Sequence, residues 1–534
     1  MAVTAWSSEA APQASESKLT LSKPHWHQHL AVLMPILTLY FGLAFYRINH
    51  QSLWSDEVLS LRRADPDRAF LVRKWWSSGH GPLYFRLLHL WARWGTSELA
   101  LRALSTLLGG VTVCLAYTMG LQLLNRQVAG IGAMLLATSP FLIWYSQEAR
   151  YVMLMMAAAV FAMYTFHRAL TAKRLRWWLL HGGSLSLAIA AFVGNVLLPL
   201  VQGLYLLSSP SRHAALRKWL VCQLLVFALF AWWANDGYVN RLGGYWQKLA
   251  LQVATSDEGL AAVPARERLA TGGAKELTAM ALPYTFFTFS AGFSLGPSVR
   301  ELHASRSLLT LRPHALSIAV CGLLFGSLLI MGLAALRRQP DTAKLLTVWL
   351  AVPIVGTLGI TALIPSLAYN VRYVAMSFPA YILILSAAIA GFRRPFMRIA
   401  LLAAVLAVNG VSLAHYYLDP RYGREDTRAA ARYLEMTAHP GDALVVVGSA
   451  IALSHYYRGS LPIVNWRGEV IKDRPALTNR LQQLSEAHDH LWLVSIRPWE
   501  GDPKGTVRGM LDDRYSLIGH KELPGVNIYT YRLR

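Results

Sequence analysis

The sequence predicts a mainly α, polytopic membrane protein of about eleven transmembrane helices, closed by a small C-terminal α/β domain. Three observations carry that reading. Hydrophobic residues make up 54% of the chain and charged residues only 15%, whereas soluble domains average about a quarter charged. Long apolar runs recur as far as residue 415 and stop there. Beyond Tyr416, short apolar strands alternate with amphipathic segments.

The apolar runs fall at 30–48, 99–122, 128–144, 151–170, 177–192, 195–208, 217–234, 315–336, 344–364, 373–391 and 397–415. A bilayer core takes about 20 helical residues, so 177–192 and 195–208 are short. With Gly194 and Pro199 between and within them, they are the expected place for a broken or re-entrant geometry. Leu30–Tyr46 reads as a retained helix, with no cleaved signal peptide ahead of it.

Charge sets the expected topology. There are 51 Lys and Arg against 29 Asp and Glu, a formal net charge of +22. The basic residues are dispersed between apolar runs, which argues against nucleic acid as a partner. Arg126, then Lys173, Arg174 and Arg176, then Arg212, Arg217 and Lys218, then Arg337, Arg338 and Lys344, then Arg393, Arg394 and Arg398 occupy alternate connections. The positive-inside rule makes these cytoplasmic. That gives a cytoplasmic tail at 1–29, a membrane unit at 30–415 with external loops at 49–98 and 235–313, and an extracytoplasmic domain at 416–534. The basic 49–98 loop departs from the rule, and function is the expected reason.

Within that loop, Pro66–Ser78 places Leu71, Val72, Trp75 and Trp76 on one helical arc, the pattern of an interfacial helix. Cys114, Cys222 and Cys321 each stand alone in an apolar run, so neither a disulfide framework nor a zinc site is expected. In the C-terminal domain, helices are predicted at Arg428–Met436 and Leu477–Ala487, and strands at Ala443–Val447, His490–Ile496 and Asn527–Arg532. Val447-Gly448-Ser449-Ala450 lacks the glycine spacing of a nucleotide loop, and this domain is expected to cover the membrane site or meet an acceptor.

The chemistry is expected around Trp54-Ser55-Asp56-Glu57, directly after the first apolar run. Acids beside a membrane are costly unless they face water or a partner. Asp56 can take a proton from an attacking hydroxyl. Glu57 cannot point the same way in a regular segment, so it would bind or orient. A second external group is Tyr145-Ser146-Gln147-Glu148-Ala149-Arg150-Tyr151, and a third Asn370-Val371-Arg372-Tyr373. Glu148 and Arg150 could pair with each other, or hold a sugar hydroxyl and a phosphate. With His80 and Arg102, several acids and arginines reach one membrane face, the mixture that an anionic headgroup and a polar reactant require.

In their order, these residues resemble the GT-C superfamily. The Asp56-Glu57 pair after the first span, the Gly79-His80-Gly81-Pro82-Leu83-Tyr84 segment, Arg102 with Ser105, Ser146 to Tyr151, and Arg372-Tyr373 carry the resemblance. It is nearest to bacterial family 39 and ArnT-like members, kin of the protein O-mannosyltransferases. It covers roughly Leu30–Phe392, and this chain has Gly81 where the family's His-Pro-Pro-Leu-Tyr pattern has its first Pro. The resemblance implies a GT-C fold and an inverting membrane glycosyltransferase using a polyprenyl-phosphate sugar at the outer face of a bacterial inner membrane. It makes Asp56 the general base, with Glu57 and Glu148 orienting sugar or acceptor. Arg102, Arg150 and Arg372 would neutralise the lipid phosphate, and His80, Tyr84, Gln147, Tyr151 and Tyr373 complete the substrate-binding set. No metal or other cofactor is expected. The partners are the lipid-linked donor, membrane lipids, and an envelope glycan, lipid or protein acceptor. A non-enzymatic transporter of lipid-linked sugars and an envelope scaffold are the competing readings.

Overall fold

The structure, a computed structural model, describes residues 26–64, 82–172, 174–234, 280–305, 308–363, 369–466 and 469–534. The expected interfacial helix at Pro66–Ser78, and His80 and Gly81, lie outside these residues.

All eleven apolar runs form helices. They are Trp26–Phe45, Glu98–Leu123, the pair Arg126–Thr138 and Pro140–Ser146, Val152–Ala172, Leu175–Ala191, Leu197–Leu207, Leu216–Ala234, Ala315–Leu336, Pro340–Leu363, Phe378–Gly391 and Pro395–Leu418. The chain is a multi-pass membrane protein. Among the described residues, seven helices are long and apolar enough to cross a bilayer, or eight counting the bent pair as one span. The difference from eleven arises partly in the marginal pair. Its helices have 17 and 11 residues, short of the ~20 that a span needs, and a 3₁₀ turn at Val193–Val196 separates them.

Burial sorts the bundle. The helix Val152–Ala172 and the segment Val371–Gly391 are enclosed, with 78% and 89% of their apolar windows buried, whereas Trp26–Phe45 and Pro395–Leu418 are peripheral at 17% and 22%. Leu316, Leu323, Ile330, Phe396 and Ile399 are exposed on the bundle's outside, where lipid tails would cover them. Close approach between helices uses small residues. A Cβ on Gly332 would lie 2.1 Å from the Ile384 carbonyl oxygen of the neighbouring Phe378–Gly391 helix.

Local chemistry sets the breaks. The Ser139 hydroxyl accepts from the Leu142 amide and Pro140 opens the next helix. Proline suits the first helical turn but cannot extend the preceding helix. The chain therefore bends by 56° and delivers residues 145–151 to the site. The basic connections gather at the far end of the bundle. There Arg126 donates to the side chain of Gln28 at 2.7 Å, Lys344 donates to the Ser208 carbonyl at 2.7 Å, and Arg212 pairs with Asp341.

The C-terminal unit is a five-stranded sheet ordered β2-β1-β3-β5-β4. The strands are β1 Ala443–Gly448, β2 Ile463–Trp466, β3 His490–Ile496, β4 Ser516–Leu523 and β5 Val526–Arg532. β1 is parallel to β2 and β3, while β5 is antiparallel to β3 and β4. Helices Thr427–Thr437 and Arg474–Ala487 begin at Asp426 and Asp473, whose side chains accept from the Ala429 and Ala476 amides, a common N-terminal cap. Alternate faces of the sheet feed separate apolar clusters, one around Val446, Val494 and Ile528, the other around Val445, Leu493 and Tyr529. At the end of β1, Gly448 has φ +93°, and a Cβ there would sit 1.9 Å from the Ile496 carbonyl oxygen. That turn leads directly to Ser449, which faces the membrane unit.

Candidate active site between the bundle and the C-terminal domain

The helix Ser55–Ala64 starts where the chain leaves the first membrane helix. The Trp54 amide donates to Glu57 Oε2 at 3.3 Å, so the side chain at the third position caps its own helix start. Both acids also sit in the favourable field of the helix N-terminus. At 3.6 residues per turn, neighbours point about 100° apart, and Asp56 and Glu57 diverge. The Asp56 side chain is 28% exposed, Glu57 not at all.

Glu57 faces inward, onto Arg102. Arg102 Nε donates to Glu57 Oε1 at 2.8 Å and Nη2 to Oε2 at 2.7 Å. Its remaining donors go to the carbonyls of Ile48, Gln51 and Ser52. All five guanidinium donors are therefore used. Glu57 also accepts from the Ala149 amide at 2.9 Å. Burial raises the Glu57 pKa, but Arg102, Arg424 and the Ala149 amide outweigh it, and the group lies below its ordinary value. Neither Glu57 nor Arg102 lines the cavity described below. Both side chains instead join helix Ser55–Ala64 to Glu98–Leu123 and to residues 147–151.

Asp56 faces a cavity of about 380 Å³, within the size range of small-molecule sites. On the bundle side the walls are Trp54, Asp56, Trp144, Glu148, Asn370 and Arg372, and on the C-terminal side Arg424, Glu425, Arg497 and Trp499. Asp56 Oδ2 accepts from Arg150 Nη1 and, at 3.3 Å, from Arg372 Nη1. Burial and the neighbouring Arg372 charge push the Arg150 pKa down. Two cations therefore share one carboxylate, which leaves the wall attractive to a further anion.

Glu148 lines the same cavity without pairing with Arg150. Its Oε1 accepts from Arg424 Nη2 at 3.0 Å and from the Trp144 indole at 2.9 Å. Burial pushes its pKa up to about 7, against the opposing pull of Arg424. Arg424 Nη1 also reaches Glu57 Oε2 at 3.3 Å, and its guanidinium lies over the Trp54 and Trp144 rings at 5.6 and 5.2 Å.

The other expected residues stand behind the wall. Tyr84 is fully buried, with its hydroxyl 3.4 Å from that of Ser105. The Gln147 amide donates to the Ala44 and Tyr46 carbonyls, and its oxygen accepts from Tyr416. Tyr151 stacks on Phe192 at 5.1 Å, and Phe192 stacks on Tyr373 at 5.8 Å. This column backs Arg150 and Arg372, which lie over Tyr151 and Tyr373. His80 is outside the described residues. Sequence reasoning missed Trp144, Arg424, Glu425, Arg497 and Trp499 as site residues. The one available signal was the charged Arg421–Asp426 stretch at the exit of the last membrane helix. Among the described residues, no three His, Cys, Asp or Glu side chains converge as metal ligands.

Comparison with known proteins places this geometry. Residues 79–234 match the family model described as dolichyl-phosphate-mannose-protein mannosyltransferase. No curated protein matches the chain. Among solved structures, ArnT from Cupriavidus metallidurans in the apo state is similar with a TM-score of 0.53 at 12% identity, over 94% of this chain and 98% of that one. The same protein bound to undecaprenyl phosphate gives the same values. The archaeal oligosaccharyltransferase AglB from Archaeoglobus fulgidus, in complex with an inhibitory peptide and a dolichol-phosphate, gives 0.51 at 12% identity, over 94% of this chain and 74% of that one. The chain is a membrane protein with the GT-C fold. Within that fold class it is similar to ArnT over nearly its whole length, and in residues 79–234 to the protein mannosyltransferases.

Proposed function

We propose that this protein is an inverting glycosyltransferase that moves a sugar from a polyprenyl-phosphate donor to a hydroxyl acceptor, with Asp56 as general base. The carrying observation is Asp56 itself. It is a partly exposed carboxylate on a cavity wall, flanked by Arg150 and Arg372. The lipid phosphates bound to ArnT and AglB support the donor class.

In this reading the donor phosphate enters against Arg150 and Arg372 and draws them from Asp56. Asp56, relieved of its cations, accepts the proton of the acceptor hydroxyl. The acceptor oxygen forms its bond to the anomeric carbon from the face opposite the phosphate. The bond from that carbon to the phosphate oxygen breaks, and polyprenyl phosphate departs with the electron pair. The two guanidiniums meet the charge that develops on the leaving oxygen, where preorganised donors count most. Glu148, on the same wall, accepts from a hydroxyl of sugar or acceptor. The arginines supply the charge that a divalent ion would otherwise supply, so the proposed reaction is metal-free.

The site opens at the end of the bundle away from the basic connections, which supports a cytoplasmic N-terminus and an extracytoplasmic C-terminal domain in a bacterial inner membrane. The purified protein, given a polyprenyl-phosphate sugar and membrane acceptors, is expected to form a new glycosidic bond. Asp56→Asn should abolish transfer in a folded protein, and full activity in that variant would remove Asp56 from the role. Headgroup movement across liposomes with no new glycosidic bond would support a transporter instead.

A further inference from the structure

The C-terminal domain holds the membrane unit through contacts that leave the cavity alone. Arg428 pairs with Glu98 at 2.9 Å, and the Tyr456 hydroxyl donates to Glu98 at 2.9 Å while accepting from the Leu53 amide at 2.7 Å. Ser449 and Ser55 join hydroxyl to hydroxyl at 2.8 Å. None of these contacts involves Arg424.

Arg424 does something different. Its side chain is 5% exposed and enters the cavity wall between two tryptophan rings. It bridges Glu57 and Glu148, and its Nε has no hydrogen-bond partner. A buried donor left unpaired is unfavourable, so the two carboxylates, with the Gln147 carbonyl accepting from Nη1 at 3.3 Å, fix this guanidinium. The donors of Arg102 are all taken, which leaves Arg424 as the one guanidinium hydrogen-bonded to Glu148 among the described residues.

We propose that Arg424, supplied by the C-terminal segment, is a positioning residue that favours the ionised form of Glu148 and keeps it aimed into the cavity. The catalytic part of this inference rests on the glycosyltransferase reading; the charge coupling does not. Several groups act on Glu148. Arg424 comes from the segment after the last membrane helix, Arg372 from the 371–377 turn, and Glu57 from helix Ser55–Ala64. The Trp144 indole donates to it from helix Pro140–Ser146. The neutral hydroxyls of Tyr84, Tyr145, Tyr151 and Tyr416 complete the surroundings. Removing Arg424 leaves Glu148 facing the Glu57 charge with Arg372 and the Trp144 indole to oppose it. A buried carboxyl in that position takes up a proton, and a protonated carboxyl loses acceptor capacity towards a sugar hydroxyl.

The test uses the full-length protein in nanodiscs and two readouts. Infrared titration of the carboxylic C=O band, with Glu148→Gln to assign it, follows the Glu148 proton directly. In Arg424→Gln the midpoint is expected to rise by about one pH unit or more, a tenfold or larger change in proton affinity. Arg424→Lys, which keeps the charge without the fork, should restore part of the shift and serves if the Gln variant does not fold. In transfer assays, Arg424→Gln should lower kcat about tenfold or more, as expected when a positioned group loses its protonation state, with little change in donor KM. Adding it to Glu148→Gln should cause no further loss. An unmoved infrared midpoint, or losses that multiply in the double variant, would overturn the proposal. Absence of transfer by the wild type with a moved midpoint would sink the glycosyltransferase reading and leave the coupling standing.

Discussion

Arg102 grips both oxygens of Glu57 inside the protein, at 2.8 and 2.7 Å, with neither side chain more than 1% exposed. Such a pair is a liability when broken from one side. Loss of one partner from a buried pair costs about 3–5 kcal/mol because the other charge is stranded. Arg102→Ala is expected to be the worse change, since it also orphans the carbonyls of Ile48, Gln51 and Ser52. Glu57→Gln keeps the shape and some acceptor capacity. Thermal unfolding in detergent should rank wild type above Glu57→Gln, and Glu57→Gln above Arg102→Ala.

Arg372 and Arg150 are expected to act on the chemical step. Both point at Asp56, and in the proposed reaction both meet the departing phosphate. Arg372→Gln should lower kcat by about 10²-fold, the scale of losing one preorganised donor at developing charge. Arg372→Lys should recover only part of that, because an ammonium lacks the planar fork. An effect confined to KM, with kcat intact, would place these arginines in donor capture alone.

Much of this site was legible because charge at the edge of a membrane helix is rare enough to stand out. Asp56, Glu148, Arg150 and Arg372 each sit at such an edge, and the fold gathers them. Each apolar run became a helix for the same reason, since a run of Leu, Ala and Val has few other solutions beside lipid, although seven of the described helices, or eight with the bent pair, are long and apolar enough to span. The pairing of Glu57 with Arg102 was not legible: it depends on how two helices 45 residues apart meet. Arg424 was hidden by context, because a charged residue in a water-facing domain is ordinary. Strands β2 and β4 escaped for a related reason. β2 has four residues, and β4 is exposed along most of its length, so neither shows the apolar alternation that marks a half-buried strand.

Chelation separates an arginine-based leaving-group site from a metal-based one. Transfer by protein dialysed against EDTA is expected to match the untreated rate. Loss of activity that Mg²⁺ or Mn²⁺ restores would show that Arg150 and Arg372 do not suffice.

The pH dependence should show two separate carboxylates. Burial raises Glu148 to about 7, so its neutral form is favoured by folding. The stability this contributes is fully present below the ordinary carboxylate range and is lost as pH rises through about 7. Glu57 has the opposite sign. Burial alone would raise it, but Arg102 and Arg424 hold it below its ordinary value, so its contribution is present at neutral pH and is lost only on strong acidification. In the proposed reaction activity follows the ionised form of Glu148, the form that accepts from Arg424 and Trp144. Transfer should therefore fall as pH drops through about 7, while the protein stays folded well below that point. A rate profile with its acid limb at the pH of unfolding would assign the limb to Glu57 and the fold, whereas a limb near neutrality that vanishes in Glu148→Gln assigns it to Glu148.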